Sequence, residues 1–132
     1  MAESSITRLS ATETASLVRE RRISAADVVT AYLERIDRLQ PVLNAYITVC
    51  PETAMAAARE IDDRSSGPDV RQRPLLGVPI ALKDQFDTRE EPTTCGSLAL
   101  KDNLPEKDAT VVAKLRGAGA IILGKLNMDE LA

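Results

Sequence analysis

The chain has 132 residues, of which 44% are apolar, 28% charged and only 2% aromatic. That composition describes one soluble globular domain with a core of Ala, Val, Ile and Leu, and excludes a disordered tail. A formal charge of −3, dispersed basic residues and one Phe with no Trp argue against direct nucleic-acid binding.

In chain order, Ser10-Ala11-Thr12-Glu13 has capping-box spacing and predicts a helix running to about Arg21. The basic group Arg19, Arg21 and Arg22 then reads as its solvated end. Ser24-Ala25-Ala26-Asp27 repeats the capping signal. Val28, Val29, Tyr32, Leu33, Ile36 and Leu39 fall on one face of a second helix, expected to stop before Pro41. Ala45–Val49 is short and β-rich and predicts a strand. A third helix is expected from Glu52 to about Arg64, with Met55, Ala58 and Ile61 inward.

Ser65–Pro74 combines Gly67 with prolines and charges and reads as an exposed loop. Val78–Leu82 is a buried strand closed by the polar turn Lys83-Asp84-Gln85. Residues 88–107 keep no period and form a long shaped loop. Asp108 is expected to cap a helix with Val111, Val112 and Leu115 inward, ending at Gly117 and Gly119. Ala120–Leu123 is another buried strand. Asn127–Ala132 looks like the start of a further helix, and a helix of one turn has little to hold it, so the chain is expected to be cut short. The order of strand, loop, helix and strand predicts an α/β fold with at least partly parallel pairing, behind an N-terminal helical layer.

The chemistry starts from an absence. The chain has no histidine, so a Ser-His-Asp triad, a Cys-His pair and the usual zinc sites are excluded within it. Lysine can replace histidine as a base when burial or a neighbouring cation keeps its amine neutral. Lys83 is the candidate, because Pro79, Ala81 and Lys83 share one side of an extended segment and Lys83 ends it. Carboxyl ends of strands are where α/β folds place ligands. Lys83 paired with Asp84 or Asp87 at a solvated strand end remains the alternative.

Gly119–Leu126 nearly spells a phosphate loop, yet Leu126 occupies the Mg²⁺-binding position and the residues between are strand-forming, so a strand is expected. The neighbours Asp129 and Glu130, like Glu90 and Glu91, are expected on solvated surface. Cys95 precedes Gly96-Ser97 in a tight-turn sequence and has no visible base. Cys50 and Cys95 show neither CxxC nor zinc spacing, and both are expected as free thiols. The N-terminus lacks signal-peptide character and no stretch would span a bilayer, so a cytoplasmic protein is expected.

Three segments resemble the amidase-signature family. Leu76-Gly77-Val78-Pro79-Ile80-Ala81-Leu82-Lys83-Asp84 is similar to the family's strand that ends in its catalytic lysine. Pro92-Thr93-Thr94-Cys95-Gly96-Ser97 is similar to its Thr-Thr-x-Gly-Ser turn. Asp108–Glu130 resembles the helix and strand leading to the signature region. The resemblance implies hydrolysis of a carboxylic amide through a Ser–cis-Ser–Lys triad, with Lys83 as the catalytic lysine and no cofactor or metal.

None of Ser4, Ser5, Ser10, Ser16, Ser24, Ser65, Ser66 or Ser97 sits in a matching motif. Both catalytic serines are therefore expected beyond Ala132, and the 132 residues alone are expected to be inactive. Residues 1–66 are expected to be mainly helical and 67–132 to begin the mixed or parallel sheet of an incomplete amidase-signature fold. The partners implied are a small-molecule amide in the complete enzyme and no membrane, with self-association through unpaired strand edges where the rest of the sheet is missing. The subfamily remains open. Lys83-Asp84-Gln85 departs from the Lys-Asp-Asn typical of the family members that serve transfer-RNA-dependent amidotransferases, whereas Gly124–Glu130 looks close to theirs. A stand-alone amidase is the first expectation and an amidotransferase component the second. A non-catalytic remnant or binding module is the alternative from another class.

Overall fold

The structure, a computed structural model, describes residues 5–64, 67–68 and 72–132. The loop expected over Ser65–Pro74 lies outside the described residues at 65, 66 and 69–71.

Two capping boxes start the helical layer. Ser10 Oγ accepts the Glu13 N–H and Glu13 answers the Ser10 N–H, opening α1 (Ala11–Arg19). Ser24 and Asp27 do the same for α2 (Ala25–Leu43). Asp62, on α3 (Pro51–Arg64), also accepts the N–H groups of Ala25 (2.7 Å) and Ala26 (3.0 Å). Donors that α2 cannot satisfy internally are thus met from a neighbouring helix.

Contrary to expectation, α2 continues through Pro41. Pro41 removes one helical donor, but Asn44 closes the last turn with a left-handed φ of 47° and an N–H···O bond to Gln40 at 2.8 Å. The Gln40 amide also clasps Tyr46, donating to its carbonyl at 2.7 Å and accepting its N–H at 3.0 Å.

The sheet has three strands in the order β1-β3-β2 among the described residues: β1 (Tyr46–Val49), β2 (Pro79–Lys83) and β3 (Ile121–Leu126). β3 runs parallel to β2 and antiparallel to β1. The mixed α/β class expected from sequence is therefore observed, and β1 joins the sheet from within the helical half.

The sheet is covered on both faces. Val18, Val28, Val29, Ala54, Ala58, Ile61 and Leu76 pack from the helical side against Ile121 and Leu123. Val112 and Leu115 of α4 (Thr110–Gly117) meet Leu82 and Ile122 on the other face. Each fully buried Val, Leu or Ile contributes about 1.5–3 kcal/mol.

Three further expectations are corrected. Asp108 does not cap α4; the N-cap is Ala109, without a side-chain bond. The Asp108 carboxylate is drawn instead to the Arg89 N–H (3.0 Å) and the Arg116 guanidinium (3.2 Å), which ties the 88–107 loop to α4. Val111 is 42% exposed, because Val112 and Leu115 already occupy the inward face. Asn127–Ala132 is a turn rather than a helix start, with the Leu131 N–H bonded to the Cys95 carbonyl at 2.9 Å.

Candidate active site

The site forms where β2 and β3 end together. Ile80 and Ala81 face Ile122 and Gly124, so Leu123 is an extra residue in β3. Such a bulge re-aims the side chains that follow it. Lys125 then stands beside Leu82, and Leu126 beside Lys83. Gly124 permits the close approach of β1, because a Cβ there would overlap the Thr48 carbonyl oxygen and sit 2.9 Å from the Tyr46 ring.

Asp84 follows Lys83 and extends the ladder by one bond, its N–H donating to the Leu126 carbonyl at 3.2 Å. Its side chain is completely buried. Oδ2 accepts from the Thr94 N–H (3.1 Å) and the Thr94 hydroxyl (2.5 Å). Oδ1 lies 3.0 Å from Nζ of Lys125, which is also 0% exposed. That approach is a charge contact rather than an aligned hydrogen bond, and it matches Oδ1 electrostatically.

The ammonium of Lys125 also donates to Thr93 Oγ1 (2.9 Å) and the Pro92 carbonyl (3.2 Å). Two hydrogen-bond acceptors and one carboxylate oxygen thus surround the ammonium. Thr93 Oγ1 in turn donates to the Phe86 carbonyl at 3.2 Å. Removing either charge would strand the other away from water.

This polar knot shapes the segment after β2. The Cys95 N–H donates to the Asp84 carbonyl at 3.0 Å, and Thr94–Ser97 closes a tight turn through Ser97 N–H···O Thr94 at 2.9 Å. Both central residues have positive φ, Cys95 at 50° and Gly96 at 68°, as a type I′ turn requires. A Cβ on Gly96 would lie 2.8 Å from the Met128 carbonyl, so the residue after Cys95 has to be small. The glycine and the turn expected here are both accounted for.

Lys83 ends β2 as expected, exposed in this chain. Among the described residues its ammonium has no hydrogen-bond or ion-pair partner. Asp84, its adjacent candidate partner, is taken by Lys125. The strand alternative to the phosphate-loop reading holds, since Gly124 and Lys125 are buried in β3.

Glu91 departs from the solvated surface expected of it. It is half-buried and accepts the Thr53 hydroxyl at 2.9 Å. Glu91 also faces Cys50, whose thiol is pushed up to about 12, first by burial and then by that carboxylate. Ser97 Oγ donates to Glu130 at 2.7 Å and serves the turn.

Lys125 is the residue that pattern reading missed. Its signal was present: a lysine continuing an apolar, two-sidedly buried parallel strand needs a carboxylate within reach.

A mixed sheet between helical layers, with a lysine and a polar knot at the carboxyl end of its parallel pair, defines an α/β scaffold of the kind that places ligands at strand ends. The Amidase family profile matches residues 27–132, and the chain belongs to that family. It is 47% identical over 129 residues to a glutamyl-tRNA(Gln) amidotransferase subunit of Acidothermus cellulolyticus, covering 98% of this chain and 25% of that protein. It is also 47% identical over 129 residues to a protein named as amidase AmiD of Mycobacterium tuberculosis, covering 97% of this chain and 27% of that one. The native peptide amidase of Stenotrophomonas maltophilia superposes with a TM-score of 0.87 at 35% identity, over 97% of this chain and 26% of that structure. The chain thus spans about a quarter of the length of the relatives it matches.

Proposed function

We propose that the protein works in amide-bond chemistry, with Lys83 as the base of a Ser–cis-Ser–Lys triad whose serines lie beyond Ala132. The observation that carries this is Lys83 at the carboxyl end of β2, without a carboxylate partner although Asp84 is its neighbour. No carboxylate among the described residues engages its amine, which leaves Lys83 available to a hydroxyl supplied by later sequence.

In the proposed reaction one serine oxygen bonds to the amide carbonyl carbon while its proton passes through the second serine to the neutral Lys83 amine. The C–N bond then breaks as that proton is delivered to the leaving nitrogen. Water repeats the path, releasing the acid and restoring the serine. No cofactor is needed, and the two free cysteines fit the reducing cytoplasm we propose for it.

The test is amide hydrolysis by the product of the complete reading frame, followed as ammonia or aniline release. Lys83→Ala should lower turnover by about 10²–10⁴-fold, the usual weight of a positioned base. A variant within twofold of the parent would overturn the assignment.

The equal identity to the Acidothermus cellulolyticus amidotransferase protein supports a second reading, as one component of an amidotransferase. Ammonia release from simple amides by the purified single chain favours the amidase. Release from glutamine only when further subunits are added favours the amidotransferase.

A further inference from the structure

The titratable groups at this end of the sheet are Asp84 and Asp87 after β2, Lys125 on β3, Tyr46 on β1, Cys95 in the turn, and Asp129 and Glu130 after β3. Asp87 and Asp129 are exposed and screened by water. Glu130 is engaged by Ser97. Asp84 and Lys125 are the charged side chains without any exposure among the described residues, and they face each other at 3.0 Å.

A buried carboxylate next in sequence to a lysine base is a hazard. Left alone, it would stabilise the ammonium form and raise the pH at which Lys83 becomes a base. Yet the carboxylate has a structural task here, because Asp84 Oδ2 holds Thr94 and so the turn that follows. A second lysine resolves the conflict.

We infer that Lys125 is a positioning residue that acts through Asp84, cancelling its charge so that Asp84 can anchor the Thr94–Ser97 turn without acting as counter-ion to Lys83. This rests on the reading of Lys83 as the base. The bulge at Leu123 belongs to the device, since it brings Lys125 beside Leu82 and leaves the neutral Leu126 beside Lys83.

The test is carried out on the complete gene product, with lysine side chains labelled at Cε and Lys83 assigned by its loss in Lys83→Ala. In Lys125→Met the NMR titration midpoint of Lys83 should rise by about one pH unit, since an unpaired anion now favours the ammonium. The acid limb of the kcat/KM profile should move up in parallel, with kcat at neutral pH falling about tenfold and KM little changed. Asp84→Asn, which leaves Lys125 unmatched, should shift Lys83 in the opposite direction and keeps the test open if Lys125→Met does not fold. Asp84→Asn/Lys125→Met, with no buried charge, should return the midpoint to that of the parent.

A Lys83 midpoint unmoved in folded single variants overturns the inference, whatever their activity, because a merely structural role would lower activity without moving it. A midpoint that moves as expected in a protein whose Lys83→Ala variant remains fully active supports the charge cancellation and overturns only the assignment of Lys83 as the base.

Discussion

Ser97 Oγ donates to the Glu130 carboxylate across 2.7 Å, joining the tight turn after Thr94 to the segment that follows β3. The same hydroxyl accepts the Ala99 N–H at 3.3 Å, starting the short 3-10 helix Leu98–Leu100. A hydroxyl that donates to a carboxylate and accepts a backbone N–H is fully used in holding the turn. Ser97→Ala should therefore leave amide hydrolysis by the complete protein within about twofold while removing about 1–2 kcal/mol of stability. Loss of turnover with an unchanged unfolding midpoint would contradict this.

Gly124 tests the strand packing. Adding a methyl group would force the Thr48 carbonyl and the Tyr46 ring away, because both already occupy that space. Gly124→Ala should cost about 1–3 kcal/mol and loosen the β1 side of the sheet. Amide exchange should accelerate at Cys50, which bonds to the Leu123 carbonyl, and at Asn127, which bonds to Ala45. The Asp84 amide, bonded to Leu126 on the β2 side, should remain protected. Equal acceleration on both sides would refute a local effect.

Much of this was legible in the sequence because the signals were local. Ser10 with Glu13 and Ser24 with Asp27 name their helices by spacing alone, and both capping boxes are present. The helix stop before Pro41 failed because residues after the proline close the helix: Asn44 turns left-handed and bonds to Gln40, whose side chain holds Tyr46. Asp108 failed for a similar reason, its carboxylate being claimed by Arg89 and Arg116 rather than by the adjacent backbone. At the candidate site, Lys83 was visible from its place at the end of an apolar run. Lys125 signalled only that a buried lysine needs a carboxylate; that the carboxylate is Asp84 was not visible, since the bulge at Leu123 and the fold of the 84–94 segment bring the two together.

The two thiols should differ in reactivity. Cys50 is buried, and burial with the Glu91 carboxylate raises its pKa from 9.0 to about 12, whereas Cys95 is half-exposed. At pH 8 the native form of these 132 residues should present one alkylatable thiol, Cys95, and two after denaturation. The pH dependence follows by linkage. Folding raises the Cys50 pKa, so its effect on stability is constant below pH 9.0 and becomes destabilising from there towards about 12, as the unfolded chain releases a proton that the folded chain retains. A Cys50→Ala variant should flatten that alkaline decline. Rapid labelling of Cys50 in the native state would contradict the burial argument.

The buried pair makes an asymmetric prediction about stability. Lys125→Met leaves Asp84 as an unmatched anion with no exposed surface, which should cost about 3–5 kcal/mol. Removing both charges together should cost far less, because no buried ion is left to desolvate. Asp84→Asn/Lys125→Met should accordingly recover most of the denaturation midpoint, with a residual deficit from the Thr94 bonds that the asparagine amide meets only in part. The measurement is a thermal or urea midpoint for the parent, both single variants and the double variant of the complete protein, taken at one pH so that the coupling reflects the pair alone. Two side chains 3.0 Å apart across β2 and β3 must couple, so strictly additive losses in the double variant would refute the pairing.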